Sequence, residues 1–493
     1  MQILKNMMWR KICYSALAFI IAITFSVGVI AIRSNSDATP SLSDAQLLTR
    51  VVAIPAVFAT LTFGITTAVA ARPVGAEAVK ATASTSPLAR PYMAQVVGLQ
   101  WLNPLERKDY PTEWQLLWTL GLVKPNEGDD MVKMKPQKYS KLQAVSGIVD
   151  PNRGRDSFED FHEKYVDRLI NQFRDIYFSD SDYFYNAHDI KDKSNWRELA
   201  GIHVEYAIPA GRLDPIHSAN IAKESIIDNF DIGNPNFPNS WTRNTPPDVR
   251  VTPGGANAGF SSLSAALDYL QAHPKESVWV MNWDAPSYPP KDEQINENMV
   301  LLVLAGPDFK TERSPLAWLG YPANAKVADF ESGKNKPPRA IQAWKSAVEK
   351  AAHNAGKQTT DVGYVIHDAS NNRAMMSDRI AALARTVTEE MPELDFTKQT
   401  FNTPELLGEM GAGTALTNVA LGIAYANHMG KNVLVTGTTD EAQPVATLVV
   451  PPAVVRPIQY DKPWFRARGG NTAYLPWWGI RHDARPGSQG YSR

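Results

Sequence analysis

Residues 408–450 read GEMGAGTALTNVALGIAYANHMGKNVLVTGTTDEAQPVATLVV, and the reading of this stretch decides the fold class. A Gly-rich turn opens an apolar helix over 412–429, and two short apolar runs follow at 432–437 and 445–450. Helices that feed into short apolar strands belong to sheets covered by helices. Towards the N-terminus the alternation repeats: helix 375–390, strand 361–367, helix 339–355, apolar run 299–305, strand 277–283 and helix 260–273. The expected class is α/β, with both faces of the sheet covered.

Further upstream, a Pro/Asn-rich loop is expected up to about 255, preceded by a helix near 214–230 and a strand near 202–208. Residues 156–178 (DSFEDFHEKYVDRLINQFRDIYF) space Phe158, Phe161, Tyr165, Leu169, Phe173 and Tyr177 by three and four. That is an amphipathic helix, with Asp156 or Ser157 as its cap. The acidic stretch SDSDYFYNAHD at 179–189 lacks the glycine and terminal glutamate of a calcium loop and reads as a polar turn. An aromatic-rich section with Trp101, Trp114 and Trp118 opens on a short strand at 95–101.

The first 72 residues are of another kind. Runs 13–32 and 51–70 contain no charge, and each has the ~20 residues a helix needs to cross a bilayer. Lys5, Arg10 and Lys11 precede the first run, and Arg72, Lys80 and Arg90 follow the second. The positive-inside rule then predicts a hairpin with both ends in the cytoplasm. The competing reading of the first run is a signal peptide, against which stand its length and the lack of a clean cleavage site. If only the first run spans, the following domain faces outward. The expected organisation is a membrane hairpin at 1–72, a linker at 73–94, two halves of a domain at 95–250 and 251–452, and a basic tail at 453–493.

Composition narrows the chemistry. The formal charge of −1 gives no field that favours nucleic acid. The single cysteine, Cys13, lies inside the first apolar run, which removes disulfides, thiolate metal sites and a cysteine nucleophile from everything downstream. No phosphate-binding loop, G-x-S-x-G elbow or paired-His metal spacing occurs, and no cofactor or metal is expected.

Three features bear on a site. His367, in YVIHDASNN (364–372), falls where a strand ends, which is where open α/β sheets bind ligands; taken alone, the histidine reads first as a hydrogen-bonded loop residue. GEMGAGTA, from 408, presents backbone N–H groups to an anion or only permits close helix packing. GGANAGFSSLSAAL (254–267) turns into a helix that Ser261 or Ser262 would cap. In this order the features resemble the thiolase-like fold of β-ketoacyl synthases. The resemblance implies that Phe260 stands in place of the nucleophilic cysteine, His367 at the first catalytic histidine and Glu409 in place of the second. A phenyl ring cannot attack a thioester, so the implied protein has no enzymatic activity.

With its apolar N-terminus, its Trp-rich 95–120 section and VWVMNWDAPSYPP at 278–290, the whole chain resembles the type VI lipase adaptor proteins. That resemblance implies an adaptor that binds a phospholipase effector in the cytoplasm and directs it to the secretion spike protein, which agrees with a cytoplasm-facing domain anchored to the inner membrane by the expected hairpin. Thiolase-like domains commonly pair, which implies a homodimer. In the tail, Trp464, Arg466, Arg468, Trp477 and Trp478 are the candidate partner-binding residues, because Trp and Arg are enriched at interfaces. The other reading of these tryptophans is that the tail folds back on its own domain. Two further functions compete with the adaptor: an acyl-thioester-processing enzyme using His367 and Ser261, and a structural part of the secretion machinery.

Overall fold

The computed structural model describes residues 91–102, 112–123, 157–179, 202–230, 246–285, 297–309 and 315–458. The chain partitions into Met1–Leu88 and Ala89–Arg493, and all described residues belong to the second unit. Both apolar runs of the expected hairpin, nearly all of the linker, and the five tail candidates from Trp464 to Trp478 lie outside the described residues. So does all but the first residue of the acidic stretch 179–189. No helix among the described residues is long and apolar enough to cross a membrane.

The strands are β1 (Met93–Leu102), β2 (His203–Pro209), β3 (Asp248–Gly254), β4 (Ser277–Asp284), β5 (Asn298–Ala305), β6 (Ala317–Gly320), β7 (Ala323–Asn324), β8 (Val362–His367), β9 (Thr400–Asn402), β10 (Asn432–Gly437) and β11 (Val445–Val450). They form one sheet in the order β3-β2-β4-β5-β1-β6-β11-β10-β8-β9, with β7 paired to β11. Pairing is parallel at both ends, where β2 lies between β3 and β4 and β8 between β9 and β10. It is antiparallel through the centre, from β4 across β5, β1, β6 and β11 to β10. The fold is mixed α/β. Because β1 bonds β5 on one side and β6 on the other, the 95–250 and 251–452 halves share this sheet.

The helices are α1 (Thr112–Thr119), α2 (Phe158–Ser179), α3 (Pro215–Asn229), α4 (Ala258–Ala272), α5 (Arg339–Asn354), α6 (Arg373–Glu390), α7 (Thr403–Leu407) and α8 (Thr414–Met429). Their starts follow from local chemistry. Ser157 Oγ accepts the Asp160 N–H at 3.0 Å while Asp160 accepts the Ser157 N–H at 2.9 Å, a reciprocal cap that makes Ser157 the start signal of α2. Asp214 accepts the His217 N–H ahead of Pro215 in α3, and Asn372 caps α6. The expectation for α4 is corrected. Its N-cap is Asn257, and both Ser261 and Ser262 lie inside the helix.

Alternation places the helices. On β10, Val433 and Val435 join the main core while Leu434 joins a second cluster with Val348 and Ala351 of α5 and Leu383 and Val387 of α6. Period-2 side-chain direction therefore puts α8 and the α5/α6 pair on opposite faces of that half. On β4, Trp279 meets Phe173 of α2 edge-on at 5.3 Å, and the Trp283 ring lies 4.8 Å from that of His162. Burying each of these indoles contributes roughly 2–3 kcal/mol. Helix α8 is buried everywhere except Tyr425 and Met429, so it runs through the core. It ends at Gly430, whose φ of 65° is the left-handed cap that glycine adopts without a Cβ penalty.

The sequence missed β3, β6, β7 and β9. Strand β3 falls in what reads as loop because Pro253 and Gly254 break its pattern, and it is tolerated as an edge strand.

Candidate functional site

The first turn of α4 borders a cleft of about 450 Å³ lined by Thr252, Asn257, Phe260, Ser261, Asn324, Thr439 and Asp440, among others. Backbones approach closely on both sides of this turn. A Cβ on Gly437 would lie 2.1 Å from Asn257 Oδ1, and one on Gly259 would lie 3.0 Å from the Ala415 Cβ on α8. Only glycine permits the first approach. Phe260 is 3% exposed and belongs to the main hydrophobic core, so its ring fills space between α4 and its neighbours. Ser261 is exposed at the cleft, and its hydroxyl bonds neither His367 nor Glu409.

His367 closes β8 and is 2% exposed. Its Nδ1 is buried without a hydrogen-bond partner, and burial lowers its pKa to about 4, which keeps the ring neutral. The next residue is better held. Asp368 accepts from the Thr438 N–H at 2.6 Å, the Thr438 hydroxyl at 2.9 Å and the Thr439 hydroxyl at 2.8 Å, which ties the β8 end to the β10–β11 connection. Two residues further on, Ser370 adopts φ 105°, a region unfavourable to any side chain. Asn402 fixes this turn by accepting the Ala369 N–H at 3.1 Å and donating to the Ser370 carbonyl at 2.8 Å.

Glu409 is half-buried between α7 and the 3-10 turn Gly411–Gly413. That turn is fastened by residues the sequence did not single out. Asp284, the last residue of β4, accepts the Ala412 N–H at 3.0 Å and the Arg212 guanidinium at 2.7 Å, and Asn282 donates to the Gly413 carbonyl at 2.7 Å. Burial raises the Asp284 pKa to about 6 against the opposing pull of Arg212 and two backbone N–H groups. The Arg212 guanidinium also stacks on the Phe158 ring at 4.0 Å. On the α2 side, the His162 Nε2 and the Tyr206 hydroxyl lie 2.7 Å apart, and burial lowers the His162 pKa to about 3. A polar residue inside an apolar strand or helix pattern was the available signal for His162, Tyr206 and Asp284.

Phe260 lines the cleft, whereas His367 and Glu409 are not among its lining residues. Neither histidine nor carboxylate is hydrogen-bonded to a nucleophile. General acid–base work needs such reach of ~2.6–3.2 Å. Among the described residues, no group of His, Cys, Asp or Glu is arranged to hold a metal ion.

The described residues thus form a mixed α/β domain in which the cleft beside Phe260 is lined by neither His367 nor Glu409. Residues 316–451 match the family model for the type VI lipase adapter protein Tla3, C-terminal. No curated protein matches the chain. Among solved structures it is similar to the ishigamide ketosynthase/chain length factor, at 15% identity over 73% of this chain and 99% of that one, with a TM-score of 0.44. It is also similar to a ketosynthase from module 6 of the Bacillus subtilis 168 bacillaene synthase, at 10% identity over 73% of this chain and 72% of that one, with a TM-score of 0.48. Cerulenin-bound OleA of Xanthomonas campestris is 9% identical over 73% of this chain and 96% of that one, with a TM-score of 0.40. At TM-scores below 0.5 these likenesses carry no weight for function.

Proposed function

We propose that this chain is a non-catalytic adaptor that binds a lipase effector and directs its loading onto the spike of a type VI secretion system. The single observation that carries the reading is the match of residues 316–451 to the lipase adapter family. Phe260 at the helix start, with His367 and Glu409 away from the cleft it lines, supports a scaffold that does not turn over substrate. We read that scaffold as thiolase-like with its chemistry lost. The partner surface is assigned to the tail, with Trp464, Arg466, Arg468, Trp477 and Trp478 as candidates. The membrane hairpin over 13–32 and 51–70, a cytoplasm-facing domain and a homodimer belong to the same proposal.

The test is an affinity purification from the native bacterium with the full chain tagged at its C-terminus. Recovery of a lipase together with a spike protein is the expected result. A well-folded preparation that brings down neither would remove the adaptor reading. The alternative favoured by a specific observation is acyl-thioester processing, because His367 has an unpartnered buried nitrogen. It requires hydrolysis that disappears in His367→Ala. A structural role in the secretion machine instead predicts that the protein stays with the envelope assembly when the lipase gene is deleted.

A further inference from the structure

Helix α6 leaves half of its apolar stripe uncovered. The stripe runs through Met376, Ile380, Leu383 and Val387 at helical spacing. Its C-terminal part is seated, since Leu383 and Val387 are buried in the second core cluster. The N-terminal part is not. Met376 and Ile380 are half-buried, Met375 is 45% exposed, and no residue from Arg373 to Ala381 belongs to a core cluster. This open half is still firmly positioned. Asn372 accepts the Ala374 N–H at 3.0 Å, and Asn402, which fixes the turn before the helix, brings its Nδ2 to 3.4 Å from Met376 Sδ.

Charge indicates what covers it. Arg379 lies one helical turn from both Met375 and Met376, so the three side chains form one continuous surface. Arg379 Nη1 is buried without a hydrogen-bond partner, and the guanidinium has no ion-pair partner among the described residues. Further along the same helix, Arg385 bonds Glu389 at 2.8 Å. A cation partly withdrawn from water and left unpaired is unfavourable, and a carboxylate brought to it removes that cost. Arg373 is exposed nearby, Asp378 is the one acid between the two arginines, and the helix dipole adds positive charge at this end. Two arginines are too few for a membrane surface, which is recognised by larger basic clusters. An acidic protein segment that also carries an apolar side chain matches both Arg379 and the methionines.

We propose that the first half of α6 is the docking face for an acidic, apolar segment of the lipase effector. A carboxylate of that segment pairs with Arg379, and an apolar side chain lies over Met375 and Met376. The proposal rests on the adaptor reading and adds a surface to it. An adaptor holds two proteins at once. The residues that match the lipase adapter family include all of α6 and end before the tail, which gives the lipase to α6 and leaves the tail candidates to the spike.

The experiment purifies the tagged full chain from the native bacterium as wild type, Arg379→Glu, Met375→Asp and Lys275→Glu. Lys275 is exposed in the turn between α4 and β4, so its variant makes the same charge change away from α6. Arg379→Glu and Met375→Asp should each recover at least about tenfold less lipase, with spike recovery and melting temperature near wild type. Lys275→Glu should behave as wild type. Amides of 373–381 should exchange with deuterium at least about tenfold more slowly with the lipase bound than in the chain alone. Lipase recovery by Arg379→Glu equal to wild type would overturn the proposal and leave the adaptor reading standing. So would loss of the spike in place of the lipase, an equal loss in Lys275→Glu, or exchange at 373–381 that is already slow in the chain alone and unchanged by the lipase. Wild type that recovers no lipase would instead remove the adaptor reading, and this face with it.

Discussion

Asp284 Oδ1 lies 2.7 Å from Arg212 Nη1, while the other carboxylate oxygen takes the backbone N–H of Ala412 at 3.0 Å. One buried carboxylate thus joins the end of β4, the loop after β2 and the turn that leads into the core helix α8. Its pKa of about 6 fixes the sign of a pH effect. Between the ordinary value of 3.8 and about 6, the folded protein keeps a proton that the unfolded chain has released. Unfolding then releases a proton, and stability falls as pH rises through that window. The full effect is about 3 kcal/mol. Asp284→Asn should remove it, so that the variant gains on wild type from pH 4 to pH 6 in urea unfolding. Parallel stability curves for the two proteins would refute this role.

His367 acts in the opposite sense. Its folded pKa of about 4 lies below the usual 6.5 because burial disfavours the cation. Between these values the unfolded chain binds the extra proton, so stability is fully present above about pH 6.5 and is lost as pH falls to about 4. The loss amounts to about 3 kcal/mol. Replacing the residue by glutamine should make the protein less sensitive to acid over that range. An unchanged midpoint difference between pH 7 and pH 5 would show that the ring is not held neutral.

Gly437→Ala should destabilise the domain, because the added methyl carbon meets Asn257 Oδ1 at 2.1 Å and Val445 Cγ1 at 2.7 Å. Overpacking of this kind costs about 1–3 kcal/mol. Adding Asn257→Gly should restore part of the loss in melting temperature, since one of the two collisions disappears. If the second change restores nothing, the close approach of β10 to the start of α4 is not what demands glycine.

Phe260→Cys tests whether the nucleophile is all that is missing. The cleft it lines includes neither His367 nor Glu409, so the new thiol has no base in place. The expectation is no gain in acyl-thioester hydrolysis over wild type. Turnover in the variant that depends on His367 would show that the site is one substitution away from activity and would weaken the adaptor reading.

The sequence by itself determined the longer helices and strands after residue 250, though not the short strands β6, β7 and β9. Helix 414–429 and strands 432–437 and 445–450 stand within two residues of their reading, because their apolar periodicity is produced by local packing that repeats along the chain. It also determined that no cysteine nucleophile exists downstream of Cys13, which is a matter of counting. Strand β3 was not legible, since an edge strand buries too little to need an apolar pattern and accommodates Pro253. The cap of α4 does not follow from residue preference: Ser261 and Ser262 match it but lie inside the helix, while Asn257 holds the cap position without a side-chain cap hydrogen bond. Tertiary structure alone decided that β1 joins the two halves of the sheet, that Phe260 lines a cleft from which His367 and Glu409 are absent, and that Asp284 holds Arg212 and Ala412. Each of these depends on segments brought together by the shared core, and a periodicity along one segment carries no information about its partner across the sheet.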